Sequence, residues 1–244
     1  MSIAMVERAG QCVHWTGMID RGRERLTLIS LLVLALGVFV TGLSWGLPSR
    51  TVDPFLFGDH PIWSGERIAR LAGQRRNQQQ LGADVDANPA TPGSVLNFTD
   101  ARRAEVLRRY RLFTYQPDEM ITMMSLASMN PARRDFDPKL YQYGGLWIYP
   151  VGALIKLCLH PMSQEYYFDH PEEFGKFYLI ARLYVVVWGL IGAWAVYRIA
   201  LDCGVPLLAA SAAVVIYTFL PVVVNMSHEA KPHLPGAVLV LLGA

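Results

Sequence analysis

Cysteine is scarce in this sequence, and the few present do not assemble into a site. Cys12, Cys158 and Cys203 are far apart, odd in number and without C-x-x-C spacing, which excludes a disulfide framework and a thiolate zinc site. The H-E-x-x-H arrangement of zinc proteases is missing too, because His228-Glu229 is not followed by histidine at the required position. Asp84 and Asp86 are spaced like calcium ligands, but the glycine and glutamate that an EF-hand loop needs do not follow them. Net charge is also small, at +2 over 244 residues, and does not point to a polyanionic partner. Arg102, Arg103, Arg108, Arg109 and Arg111 do gather on one segment. An arginine-rich helix alone is poor ground for nucleic-acid binding, so no nucleic acid is expected. A solvated basic face is the plain expectation. The sharper one is contact with lipid phosphates, worth about 1 kcal/mol per charge beside an anionic bilayer.

What the sequence does have is apolar residues in blocks: 52% of the chain is hydrophobic, and long runs alternate with polar stretches. This pattern predicts an all-α polytopic membrane protein. Residues 1–25 are polar, with Arg21, Arg23 and Arg25 directly before the run Leu26–Leu47, and only Arg50 shortly after it. That bias puts the N-terminus in the cytoplasm and makes residues 26–47 an uncleaved signal anchor. Trp45 is placed as an interfacial anchor and Pro48 as the helix stop.

Residues 48–176 then form one large extracytoplasmic loop. Within it the sequence predicts a helix from Ser64 to Leu81 capped by Ser64, a flexible connection over Gly82–Gly93, and a helix over Ala101–Leu112 capped by Thr99 or Asp100. The apolar run Leu146–Leu159 contains Pro150 and Lys156 and falls short of the ~20 residues of a span. It reads as a juxtamembrane or re-entrant helix. Residues 177–201 and 206–224 are expected to cross, with residues 225–233 as a second extracytoplasmic loop. The run at residues 234–244 stops about halfway to a span, and the chain reads as the N-terminal part of a longer protein.

Two places carry candidate chemistry. Tyr115-Gln116-Pro117-Asp118-Glu119 sets two carboxylates at the head of a Met-rich apolar helix. Acids in a first turn favour the helix dipole by about 0.3–1 kcal/mol and proline fits the first helical position, so capping explains them structurally. Held at a membrane surface, the same acids could accept a proton from an attacking hydroxyl. The second place is His228-Glu229-Ala230-Lys231-Pro232-His233, between two apolar runs. There a cation could neutralise a phosphate, and Glu229 with His228 or His233 could bind a divalent cation such as Mg or Mn. Asp53 is a further acidic candidate, and Asp135 and Asp137 around Phe136 suit a turn before Pro138. Asn97-Phe98-Thr99 and Asn225-Met226-Ser227 are sequons, which matter only in a glycosylating compartment.

The order of these parts resembles the N-terminal part of GT-C glycosyltransferases. The resemblance rests on the signal anchor, Pro117-Asp118-Glu119, Asn130-Pro131, Tyr143-Gly144-Gly145-Leu146-Trp147-Ile148-Tyr149-Pro150, Ala181-Arg182-Leu183 and Ser227-His228. The similar branch is that of protein O-mannosyltransferases and aminoarabinose transferases, which take sugars from polyprenyl-phosphate carriers. It implies a large first extracytoplasmic loop with juxtamembrane helices, and an integral protein of a bacterial inner or plasma membrane, or of the endoplasmic reticulum, acting at the extracytoplasmic face. Asp118, with Glu119, would be the catalytic acid pair. Lys231, His228, Arg182, Arg133 and Arg134 would contact carrier phosphate or substrate, and Glu229 and His233 a metal. The partners implied are the lipid-linked sugar, the bilayer and an acceptor on protein, glycan or lipid. The loop over Phe55–Phe113 is longer than in the family, and Glu229 and Lys231 stand where relatives carry a later aspartate. A polytopic transporter and a non-catalytic scaffold or binding protein remain alternatives, Arg182 within an apolar helix being compatible with the first.

Overall fold

The computed structural model describes residues 3–80 and 99–243. The connection expected at Gly82–Gly93, with Asp84 and Asp86, and the sequon residues Asn97 and Phe98 lie outside them. Through the described residues run α1 (Ile3–Val40), α2 (Asp53–Phe57), α3 (Gly65–Gln80), α4 (Asp100–Leu112), α5 (Glu119–Ser128), α6 (Gly145–Cys158), α7 (Gln164–Asp169), α8 (Pro171–Asp202), α9 (Leu207–Phe219), α10 (Pro221–Ser227) and α11 (His233–Gly243). Extended pairing among the described residues is confined to one isolated bridge, Asn130 with Asp135. The all-α class expected from the sequence is therefore observed.

Among the described residues, one helix is long and apolar enough to cross a membrane, and it is α8. Its 32 residues at ~1.5 Å each reach about 48 Å, more than the ~30 Å hydrocarbon core. The expected span at residues 177–201 lies wholly within it. Of the other two expected crossings, residues 206–224 form a bent pair that is long and apolar enough when its two helices are taken together. Residues 206–224 are not one straight helix, since α9 and α10 meet at 57°. The break falls at Leu220, held at ψ 123 because the residue before a proline avoids the helical region. The first helix starts at Ile3 and ends at Val40, leaving Leu26–Val40 as its apolar part. Turns occupy residues 41–46, where Gly42 and Gly46 take positive φ. The helix α6 is short and apolar.

The chain divides into two compact units, Ser44–Ala181 and Met1–Leu43 with Arg182–Ala244. In the first, Ile68 and Ala72 of α3, Ala104 and Leu107 of α4 and Tyr167 and Phe168 of α7 close a core with Phe57 and Trp63. Local chemistry starts each of these helices. The Ser64, Thr99 and Ser163 hydroxyls accept from the amides of Arg67, Arg102 and Tyr166 at 3.3, 3.2 and 3.3 Å, satisfying N–H groups that the first turn leaves open. Gly65 lets α3 meet α7. A Cβ there would lie 2.1 Å from the Glu165 carbonyl oxygen, and the Gly65 amide donates to Asp169 Oδ1 at 2.7 Å.

Arg111 departs from the solvated basic face expected of α4, being buried with its Nη2 2.7 Å from Asp53 Oδ1. Proximity makes this an ion pair, but the approach lacks hydrogen-bond geometry at Oδ1, and Arg111 Nε and Nη1 have no hydrogen-bond partner.

The second unit packs by close helix approach and a few polar ties. Phe39 of α1 is fully buried against Gly189 of α8. The Tyr197 hydroxyl donates to the Glu24 carbonyl at 2.9 Å, and the Tyr217 hydroxyl to the Gly189 carbonyl at 3.3 Å. These ties join α1 and α9 to α8 through backbone acceptors.

Candidate functional site

The loop between α4 and α5 turns around Thr114. The Gln116 amide donates to Thr114 Oγ1 at 3.2 Å, and that hydroxyl has both the Gln116 carbonyl at 2.8 Å and the Glu119 carboxylate in reach of its one proton. This anchors Glu119 inside, fully buried, where its carboxylate holds the loop and cannot meet solvent. Asp118 is exposed at the N-cap position, and its side chain makes no capping hydrogen bond. The acid pair thus divides its work, and the expected capping by Asp118 is not what its carboxylate does. Behind them, the Trp147 indole donates to the buried Thr122 hydroxyl at 3.0 Å, and Tyr143 donates to the Asp118 carbonyl at 3.3 Å. These contacts fix α5 against the start of α6.

Pro117, next to Asp118, lies on the wall of a cavity of about 740 Å³ within this unit. That size falls in the ~300–1,000 Å³ range of small-ligand sites. Tyr115 and Trp45 line it together with Arg109, Tyr110, Glu172 and Lys176. Sequence reading missed most of this wall, because it joins the turn after α1, the end of α4 and the first turns of α8, three places with no shared motif. The available signals were Trp45 before Gly46 and the Tyr115–Pro117 stretch, read separately.

No family model, curated protein or solved structure matches the chain. The geometry must therefore carry any functional reading.

The second expected cluster sits in the other unit and is built differently. Glu229 accepts from Asn225 Nδ2 at 3.0 Å and lies 3.1 Å from Lys231 Nζ, with both charged residues buried. Each neutralises the other, so Lys231 faces a carboxylate where a carrier phosphate was expected. His228 Nδ1 lies 2.6 Å from the Val224 carbonyl and Nε2 2.8 Å from the Thr41 carbonyl. A metal needs a nitrogen lone pair, which His228 could offer only by leaving one of these. His233 is exposed at the start of α11. No group of three or more potential metal ligands occurs among the described residues. As arranged, Glu229, His228 and His233 do not fit a divalent-cation site.

Arg182 is 3% exposed, and its Nη1 donates to the Leu43 carbonyl at 2.7 Å, closing the turn after α1. This interior setting differs from the phosphate contact expected of it. Arg133 and Arg134 are exposed in a tight turn, Arg134 with a left-handed backbone at φ 58. The turn is closed by reciprocal bonds between Asn130 and Asp135, at 2.8 and 3.0 Å. Asp137 accepts from Lys139 Nζ at 2.7 Å, the Tyr141 hydroxyl at 2.7 Å and the Lys139 amide at 2.9 Å. Those donors, Lys139 first, hold its carboxyl well below the usual range, and the same bonds raise Lys139 and Tyr141. Asp135 and Asp137 thus form the expected turn.

Proposed function

We propose that the chain is part of a polytopic membrane glycosyltransferase that moves a sugar from a polyprenyl-phosphate carrier to an acceptor hydroxyl at the extracytoplasmic face. The observation that supports this best is the division of labour at the head of α5, where Glu119 is buried as an anchor and Asp118 is exposed, next in sequence to Pro117 on a cavity wall. A base must be accessible to its substrate and firmly placed, and this pair meets both needs. In the reaction the acceptor oxygen bonds to the anomeric carbon, its proton passes to the Asp118 carboxylate, and the bond from that carbon to the phosphate oxygen breaks with inversion. The phosphate leaves on its carrier.

The test is transfer from a radiolabelled polyprenyl-phosphate sugar in membranes carrying the full-length protein. Asp118→Asn should lower the rate by about 10²–10⁴-fold, the usual contribution of a positioned base, with unchanged membrane insertion. Wild-type rates in that variant would remove Asp118 as the base, and absence of transfer by the unaltered protein would remove the proposal.

A further inference from the structure

The cavity with Pro117 on its wall contains an aromatic corner. Trp45 and Tyr115 are 70% and 61% exposed, and their rings stand 5.3 Å apart at 88° to one another. The Tyr115 amide donates to the Gly46 carbonyl at 3.0 Å. Gly46 has φ 69, and a Cβ on it would meet Tyr115 Cβ at 3.1 Å and Cγ at 3.2 Å. The positive φ favours glycine, and a side chain there would push the Tyr115 ring by a few tenths of an ångström.

Charge on the same wall is nearly cancelled. Lys176 pairs with Glu173 at 2.6 Å, and Glu172 accepts from the Arg50 amide at 2.7 Å. Arg109 leans over Phe113, 5.5 Å from the ring centroid. A phosphate would gain little net field here, because Glu172 lies on the wall with the two cations. Exposed aromatic faces among fixed charged and polar groups suit a neutral polyhydroxyl ligand. The C–H bonds on one face of a pyranose carry the partial positive charge that the negative face of an aromatic ring attracts. Its hydroxyls can meanwhile bond to a carboxylate and a guanidinium.

We infer that this cavity is a carbohydrate-binding site, with Trp45 and Tyr115 as the stacking surface and Glu172 and Arg109 as hydroxyl partners. Its occupant is then the acceptor, a glycan chain end; this last step rests on the transferase reading, whereas sugar binding does not.

The experiment is isothermal titration calorimetry of the full chain in detergent, without donor, against mannotriose, cellotriose and maltotriose, with inorganic phosphate as a further probe. At least one trisaccharide should bind saturably. Its Kd should rise at least tenfold in Trp45→Ala and Tyr115→Ala and stay within twofold in Tyr115→Phe, which keeps the ring. Arg109 is exposed, so Arg109→Gln reports even if an alanine variant fails to fold, and should weaken binding at least threefold. Absence of binding by all three sugars would overturn the inference. So would affinities unchanged in these variants, or saturable binding of phosphate alone. If the alanine variants lose only their retention in phosphatidylglycerol vesicles, the corner is a membrane anchor and the inference is wrong. Trisaccharide binding by a protein that shows no transfer from a lipid-linked donor would remove the transferase reading and leave this one standing.

Discussion

The two acidic clusters make opposite use of similar residues. In the loop before α5 one carboxylate is buried against a hydroxyl, and its neighbour is left at the surface. In the loop before α11 the carboxylate and the ammonium are both buried, one against the other. The second cluster is richer in ionisable groups, yet its charges are spent on internal pairing. Density of ionisable groups is thus a poor guide to reactivity, and the partner of each group is a better one.

This contrast can be broken by substitution, and the largest effect belongs to the buried pair. Lys231→Met leaves the Glu229 charge uncompensated inside, and loss of one partner of such a pair costs about 3–5 kcal/mol. Denaturant titration in detergent should show that loss, with much of it recovered in the Glu229→Gln/Lys231→Met double variant. A single variant as stable as wild type would mean that the pair is not buried in solution. Thr114→Val comes next. It removes the hydroxyl beside buried Glu119, for which about 1–3 kcal/mol is expected, and it should lower the transfer rate as the loop loosens. Asp118→Asn should change stability by under about 1 kcal/mol, since the side chain is exposed and does not cap α5.

The smallest effect concerns pH. Asp137 has its carboxyl pKa depressed by Lys139 and Tyr141, so its contribution is fully present above the ordinary value of ~3.9. It is lost only as pH falls through the lower folded value. Tyr141 ring NMR shifts should therefore stay constant from pH 7 to about 4.5, and a titration step near pH 4 in those shifts would contradict the hydrogen bonds drawn to Asp137.

Much of the fold was legible where a local cause acts alone. Ser64 and Thr99 cap the helices they were expected to cap, and α6 is short because its apolar run is short. The end of α1 was less legible, because the apolar run continues past Val40 while the backbone turns at Gly42 and Gly46. Hydropathy cannot register that turn. The pairing of Asp53 with Arg111 was hidden for a different reason, since it joins residues remote in sequence that read separately as a loop acid and a solvated base. The site was legible only in part. Asp118 and Glu119 were found as a pair, but their division into surface and interior depends on Thr114 folding back over the turn, which no spacing rule encodes.

The most direct measurement sets Asp118→Asn against Glu229→Gln/Lys231→Met in one assay of initial transfer rate per folded molecule, from the same lipid-linked donor. If the loop before α5 holds the base and the loop before α11 holds a structural pair, the first variant falls by about 10²-fold or more and the double variant stays within about tenfold of wild type, a change of ~1.4 kcal/mol in barrier. The reverse order, with Asp118→Asn active and the double variant dead though folded, would contradict that assignment.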